Sequence, residues 1–214
     1  MAIRIDGTNT TANPGITGAD ADTGLQFGTN ELKLVTGGTE AVKIDSNQKL
    51  TASQGILFGT DTATANTLDD YEEGYFSPTL TAVTPGTLSF TPSAGNGGHY
   101  TKIGRTIYFS FNLQGAVSVG TAAGNAFLSG LPFTSTQFSG NTTGGGSGFY
   151  AITIPYPAGI DVSSGFTIIG GLVQPNTTLM VFYESNGTSE GFIQIGEFAS
   201  TINIHGSGTY TRDA

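Results

Sequence analysis

The sequence has no cysteine, only two histidines and, across 214 residues, only seven basic residues. Without cysteine there is no disulfide, no thiol nucleophile and no thiolate metal site, so stability must come from packing, strand pairing or oligomerisation. Seven scattered Lys and Arg against 16 Asp and Glu give a formal charge of −9. Nucleic-acid binding depends on clustered cations that release counterions from phosphate, so no nucleic-acid partner is expected. No apolar run approaches the ~18 residues of a membrane-spanning helix. Met1-Ala2-Ile3-Arg4-Ile5-Asp6 is followed by no apolar signal-peptide core. Synthesis in the cytosol without membrane insertion is therefore expected.

What is present is glycine, 33 residues of it, with abundant Thr and Ser and only 11% charged residues. Gly and β-branched Thr disfavour helix, so strands and turns are expected throughout. Residues 1–67 carry short apolar runs, Leu32-Lys33-Leu34-Val35 and Ala41-Val42-Lys43-Ile44, between turn formers such as Gly37-Gly38 and Asp45-Ser46-Asn47. Gly24-Leu25-Gln26-Phe27-Gly28-Thr29 recurs 31 residues later as Gly55-Ile56-Leu57-Phe58-Gly59-Thr60. A segment so poor in core residues is ordered if identical chains wrap around a common axis and supply the missing apolar partner. From Tyr75 onward the strand signal is stronger. Ile107, Phe109, Phe111 and Leu113 alternate with Tyr108, Ser110 and Asn112, the period-2 pattern of a half-buried strand. Similar runs occur at 149–154, 179–183, 192–195 and 201–205, separated by residues 142–148, Pro155-Tyr156-Pro157 and Ser185-Asn186-Gly187, all read as turns. The expected architecture is all-β: an extended N-terminal segment, then an antiparallel sandwich or jelly roll over 75–214.

Enzymatic chemistry finds little support. Residues 74–160 contain neither Asp nor Glu. A glycan-cleaving carboxylate pair must then come from the scattered acids that follow. Glu184 and Glu190, flanking the Asn186-Gly187 turn, form the best candidate, with exposed hairpin charges as the simpler reading. His99 and His205 are surrounded by so many hydroxyls that a His–Ser pairing carries no information. Asp20-Ala21-Asp22 lacks the rest of a calcium loop, and Gly144-Gly145-Gly146 lacks the Lys-Ser or Lys-Thr of a phosphate loop. No catalytic residue, metal or cofactor is expected. Loop tyrosines suit carbohydrate or protein contacts, and Tyr156 is the candidate binding residue. The densest acidic cluster, Asp69, Asp70, Glu72 and Glu73 ahead of Gly74, reads as a solvated hinge over 68–74 in which Gly74 permits a change of direction.

"LDDYEEGYFSPTL" at 68–80, followed by "YTKIGRTIYFSFNL" at 100–113 and "FLSGLPF" at 127–133, resembles tail-fibre and related virion-surface proteins of tailed bacteriophages. In that family a Leu-Asp-Asp-Tyr-Glu-Glu-Gly run, an aromatic and Pro-Thr-Leu open a β-rich domain. Thr-Trp-Thr often follows Glu-Glu-Gly there, where this chain has Tyr75-Phe76-Ser77. "NPGITGADADTGLQFGTNELKLVTGGTEAVKID" at 13–45 is similar to segments of fibre-like proteins of marine and freshwater phages, cyanophages included. The resemblance implies a virion-surface homotrimer. Residues 1–67 would join other virion proteins of the tail or capsid, and the β-domain would face outward towards a host-surface glycan. It carries over no catalytic residue. A tail fibre is the first expectation, and a head fibre or a capsid cement (decoration) protein is the alternative. A small polysaccharide depolymerase acting through Glu184 and Glu190 ranks last. Accordingly, folded protein incubated with host polysaccharide should release no new reducing ends; release that is lost in Glu184→Gln would establish the depolymerase instead.

Overall fold

The computed structural model describes residues 4–5, 9–12, 14–60, 62–63, 67–137 and 148–212. Among them the chain is all-β except for a single 3-10 turn, Ile195–Glu197, and it divides into two compact units, Met1–Asp69 and Asp70–Ala214.

In the first unit six strands pair antiparallel in chain order: β1 (Arg4–Ile5), β2 (Ile16–Thr17), β3 (Gly24–Gly28), β4 (Glu31–Thr36), β5 (Thr39–Ile44) and β6 (Leu50–Ala52). Gly37 and Gly38, both at positive φ, close the β4–β5 hairpin, the geometry that matches strand twist and that glycine adopts without a Cβ clash. Register then sorts the side chains by face. Ile5, Ile16, Leu25, Leu34 and Val42 stand opposite one another on five successive strands, with Phe27, Leu32, Ile44 and Leu50 in the row beside them. Gln26, Lys33, Lys43 and Thr51 occupy the reverse face, where Lys33 bridges Glu31 at 3.1 Å and Glu40 at 3.5 Å. Among the described residues Val35 is the one large apolar side chain of this unit that is fully buried. Among the described residues the unit is an amphipathic sheet with no extended buried core. The internal echo is not a structural repeat: residues 24–28 form β3, whereas in the second copy only Ile56 pairs, through an isolated bridge to Leu68.

The second unit contains β7 (Tyr71–Phe76), β8 (Thr79–Thr84), β9 (Ser89–Pro92), β10 (Gly97–Ile103), β11 (Thr106–Ser118) and β12 (Ala123–Ser129). It continues with β13 (Tyr150–Ile160), β14 (Ile168–Val173), β15 (Leu179–Ser185), β16 (Glu190–Phe192) and β17 (Phe198–Thr211). They form one antiparallel sheet in the order β7-β10-β11-β17-β13-β14-β15-β12-β8, with β9 beside β11 and β16 beside β15. The terminal strands of that path, β7 and β8, are separated in the chain by Ser77 and Pro78 alone. Flat, nine strands would hold them about 38 Å apart, far beyond the reach of three peptide units, about 10 Å. The sheet therefore curls on itself and brings its ends together. Its concave side encloses one core, to which β8 contributes Leu80, β11 Phe109 and Leu113, β15 Phe182, and β17 Ile204 and Tyr210.

The alternation read from 106–113 is observed and extends to Val117. Three boundaries differ from the sequence reading. Pro155-Tyr156-Pro157 is not a turn: β13 runs through it with a bulge. β17 runs from Phe198 to Thr211, well beyond 201–205, and the 192–195 strand stops at Phe192, ahead of the 3-10 turn. Of the glycine-rich run at 142–148, residues 142–147 lie outside the described residues.

Tyr210 is fully buried, and its hydroxyl donates to the Phe133 carbonyl at 3.0 Å and accepts from the Phe133 N–H at 3.1 Å. Burial raises its hydroxyl pKa well above the ordinary tyrosine value. The raised pKa belongs to the folded state, so the associated stability is complete below the unfolded value of about 10. It is lost as pH climbs beyond that value, because only the unfolded chain then releases the proton. Urea unfolding between pH 8 and 12 should show a midpoint that falls above about pH 10, and Tyr210→Phe should flatten that fall.

Candidate binding face

The same alternation that fills the core leaves the opposite side of β7, β10, β11, β17 and β13 in solvent. Register places Tyr75, His99, Ser110 and Ser207 in one row across four strands. The adjacent row holds Gly97, Asn112, His205 and Tyr156. Both histidines of the chain thus share one face with four exposed tyrosines, Tyr71, Tyr75, Tyr108 and Tyr156, of which Tyr75 is 91% exposed. Three adjoining depressions, with cavity volumes of ≈ 530, ≈ 370 and ≈ 570 Å³, all include His99 in their walls. Ser110 Oγ lies 3.2 Å from His99 Nε2, and the Tyr156 and His205 rings meet edge to face with centroids 5.4 Å apart.

Tyr156 reaches this face because of the bulge. From Ser207 to His205 β17 advances two residues, while from Thr153 to Tyr156 β13 advances three. One extra residue reverses the side to which the following side chain points. Without it Tyr156 would face inward with Ile152 and Ile154. Pro155, which lacks an N–H for the ladder, sits within the bulge, where such a residue is tolerated.

The acidic stretch is exposed at Asp69, Glu72 and Glu73, as read, but from Tyr71 onward it is strand and not a hinge, which corrects the sequence reading. Only Leu68 and Asp69 precede the second unit. Asp70 pairs with the ammonium of Lys102, which is buried and lies 5.3 Å over the Phe133 ring. Glu72 and Glu73 belong to β7 and accept hydrogen bonds from the hydroxyls of Tyr100 and Tyr71, which raises the pKa of each tyrosine. Gly74 does not turn the chain: a Cβ there would lie 2.6 Å from the Tyr100 hydroxyl, so glycine admits the ring of the paired strand. The partners Tyr100 and Lys102 lie some 30 residues downstream, too far for local reading to couple them.

The carboxylate pair dissolves as well. Glu184 stands opposite Gly191 and Glu190 opposite Ser185, so the two project to opposite sides of the sheet. Glu184 is buried and accepts from the Ser163 N–H at 2.8 Å, while Glu197 accepts from the Ser163 hydroxyl at 2.6 Å. These acids pin the 161–167 connection. No carboxylate hydrogen-bonds to either imidazole, and no group of three metal-ligating side chains occurs, among the described residues. Asp20 and Asp22 interact with each other in an exposed turn, where a hydrogen bond between their side chains lowers the pKa of Asp20 and raises that of Asp22. What sequence reading missed is the cooperation of Tyr75, His99, Ser110, Asn112 and His205, which only the four-strand register brings together.

No protein-family model matches the chain, and no curated protein does. Among solved structures, the Dettilon tailspike protein (gp208) is similar in fold, with a TM-score of 0.51 at 20% identity over 66% of this chain. The chain spans 24% of the length of that tailspike.

The Asp70–Lys102 pair gives an asymmetric prediction. Asp70→Ala leaves an ammonium buried and uncompensated, and should lower the unfolding free energy by about 2 kcal/mol, below the value for a fully buried pair because Asp70 is partly solvated. Lys102→Met keeps the contact with Phe133 and should cost less than about 1 kcal/mol. Urea denaturation of both variants measures the difference.

Proposed function

We propose that the chain is a virion-surface protein of a tailed phage, most simply a tail fibre, that assembles as a homotrimer and holds an adhesive face towards the host. The larger unit is read as a rolled antiparallel sandwich of jelly-roll type. The observation that carries adhesion is the solvent-exposed face of tyrosines, histidines, hydroxyls and amides on β7, β10, β11, β17 and β13. Rigid strands display aromatic rings and small hydrogen-bonding groups there, with no charge pair to occupy them. The tailspike-like fold and the phage-fibre motifs point the same way. No residue is assigned a catalytic role.

The homotrimer rests on a separate observation, the apolar rows of the first unit. Leu34, Ile44, Leu50 and Phe27 are each at least 40% exposed on one sheet face, an exposure that water penalises by about 25 cal/mol per Å² of apolar surface. Copies of the same sheet offer a matching cover, and residues 1–67 also provide the connection to other virion proteins. Attachment at the capsid, as a head fibre or cement protein, uses the same surfaces and differs in location. Sedimentation at micromolar concentration should give a trimer, and the double substitution Leu34→Lys with Ile44→Lys should dissociate it. A folded wild-type monomer at that concentration removes the trimer. Labelled protein should coat host cells; binding to capsids with none to cells would replace adhesion by decoration.

A further inference from the structure

Resting on the adhesive reading, we infer that the depressions along β7, β10, β11 and β17, with the exposed Tyr156 of β13 beside them, are a binding site for a short, uncharged oligosaccharide lying across the strands. Its two ends are aromatic: Tyr75 stands on the edge strand β7 and Tyr156 on β13, four strand spacings away. At about 4.8 Å per spacing the path along the sheet from one strand to the other is about 19 Å, the length of roughly three to four pyranose units. Sugar rings present an apolar C–H face that stacks on a tyrosine, whose own hydroxyl remains free to bond. Between the two rings the floor offers Ser110, Ser207 and the imidazoles of His99 and His205, which suit sugar hydroxyls spaced along a chain. Gly97 keeps the floor low: a Cβ there would meet nothing within 4 Å, so the space above it is open.

Charge selects among saccharides. The walls of the two depressions between Tyr75 and Thr209 contain no Lys, Arg, Asp or Glu. The nearest carboxylate beside them, Glu73, accepts the Tyr71 hydroxyl. There is no cation to pair with a uronic acid or a phosphate, and a protein of formal charge −9 repels a polyanion at long range. Neutral chains are therefore favoured over acidic ones of equal length.

An array of neutral and uronic-acid-containing bacterial oligosaccharides of two to six residues, read alongside binding of the same labelled protein to host cells, tests this. Wild type should bind neutral chains of three residues or more, and Tyr75→Ala and Tyr156→Ala should each weaken binding at least tenfold. Gly97→Phe, which fills the groove where the fold has room, should abolish binding while leaving the urea midpoint unchanged. If the cells are bound but these variants bind as wild type does, or if only acidic chains are retained, the groove assignment is overturned and adhesion survives. Binding to neither cells nor any arrayed chain overturns both.

Discussion

The antiparallel ladder between β11 and β17 is the interaction on which the second unit depends. Eleven consecutive pairs, from Thr106 with Thr211 to Ala116 with Thr201, hold the two longest strands in one register. Because successive side chains point to opposite sides of a strand, that single register decides two things at once. It sends Ile107, Phe109, Phe111, Leu113, Ile202 and Ile204 into the core and Tyr108, Ser110, Asn112, His205 and Ser207 into solvent. A slip of β17 by one residue would bury the imidazole of His205 and expose Ile202 and Ile204. The buried apolar side therefore specifies the polar side, and the candidate binding face is as fixed as the core behind it.

How much of this could be read from the chain varied with how local the signal is. β11 is legible because each inward position carries a large apolar residue. β17 is legible only over 201–205, although it is longer, because Gly206 and Gly208 take inward positions where the alternation would demand bulk. A Cβ on Gly206 would lie 2.6 Å from the Phe111 ring, and one on Gly208 2.1 Å from Ile152. Neighbouring strands have filled those places, so glycine here is a core residue in disguise. The continuation of β13 beyond Ile154 was hidden differently: two prolines flanking Tyr156 look like a turn, and a bulge that tolerates proline looks the same in sequence. Tyr156 was visible as an exposed tyrosine, but its companions on the face come from strands far apart in the chain.

The acidic stretch shows the opposite error. Four carboxylates close in sequence suggested a mutually repelling hinge, since no base stands nearby along the chain, and although Asp69, Glu72 and Glu73 are exposed the segment is not one. Folding brings Lys102 to Asp70 and Tyr100 to Glu72, and those contacts fasten the beginning of the second unit to β10. The first unit has no comparable internal economy: among the described residues its sheet fully buries one large apolar side chain, Val35. One unit completes its own core and leaves a polar face exposed; the other leaves apolar side chains exposed on one sheet face. That division of labour is what ties the proposed assembly to the proposed adhesion.

Amide hydrogen exchange followed by mass spectrometry tests the central claim, that the β11–β17 ladder organises the second unit, most directly. The ladder amides at 106–116 and 201–211 should be the last to exchange, opening only with global unfolding, while β9 and β16 exchange earlier through local fraying. If β11 and β17 exchanged as early as those short edge strands, the ladder would not be what holds the face and the core in register.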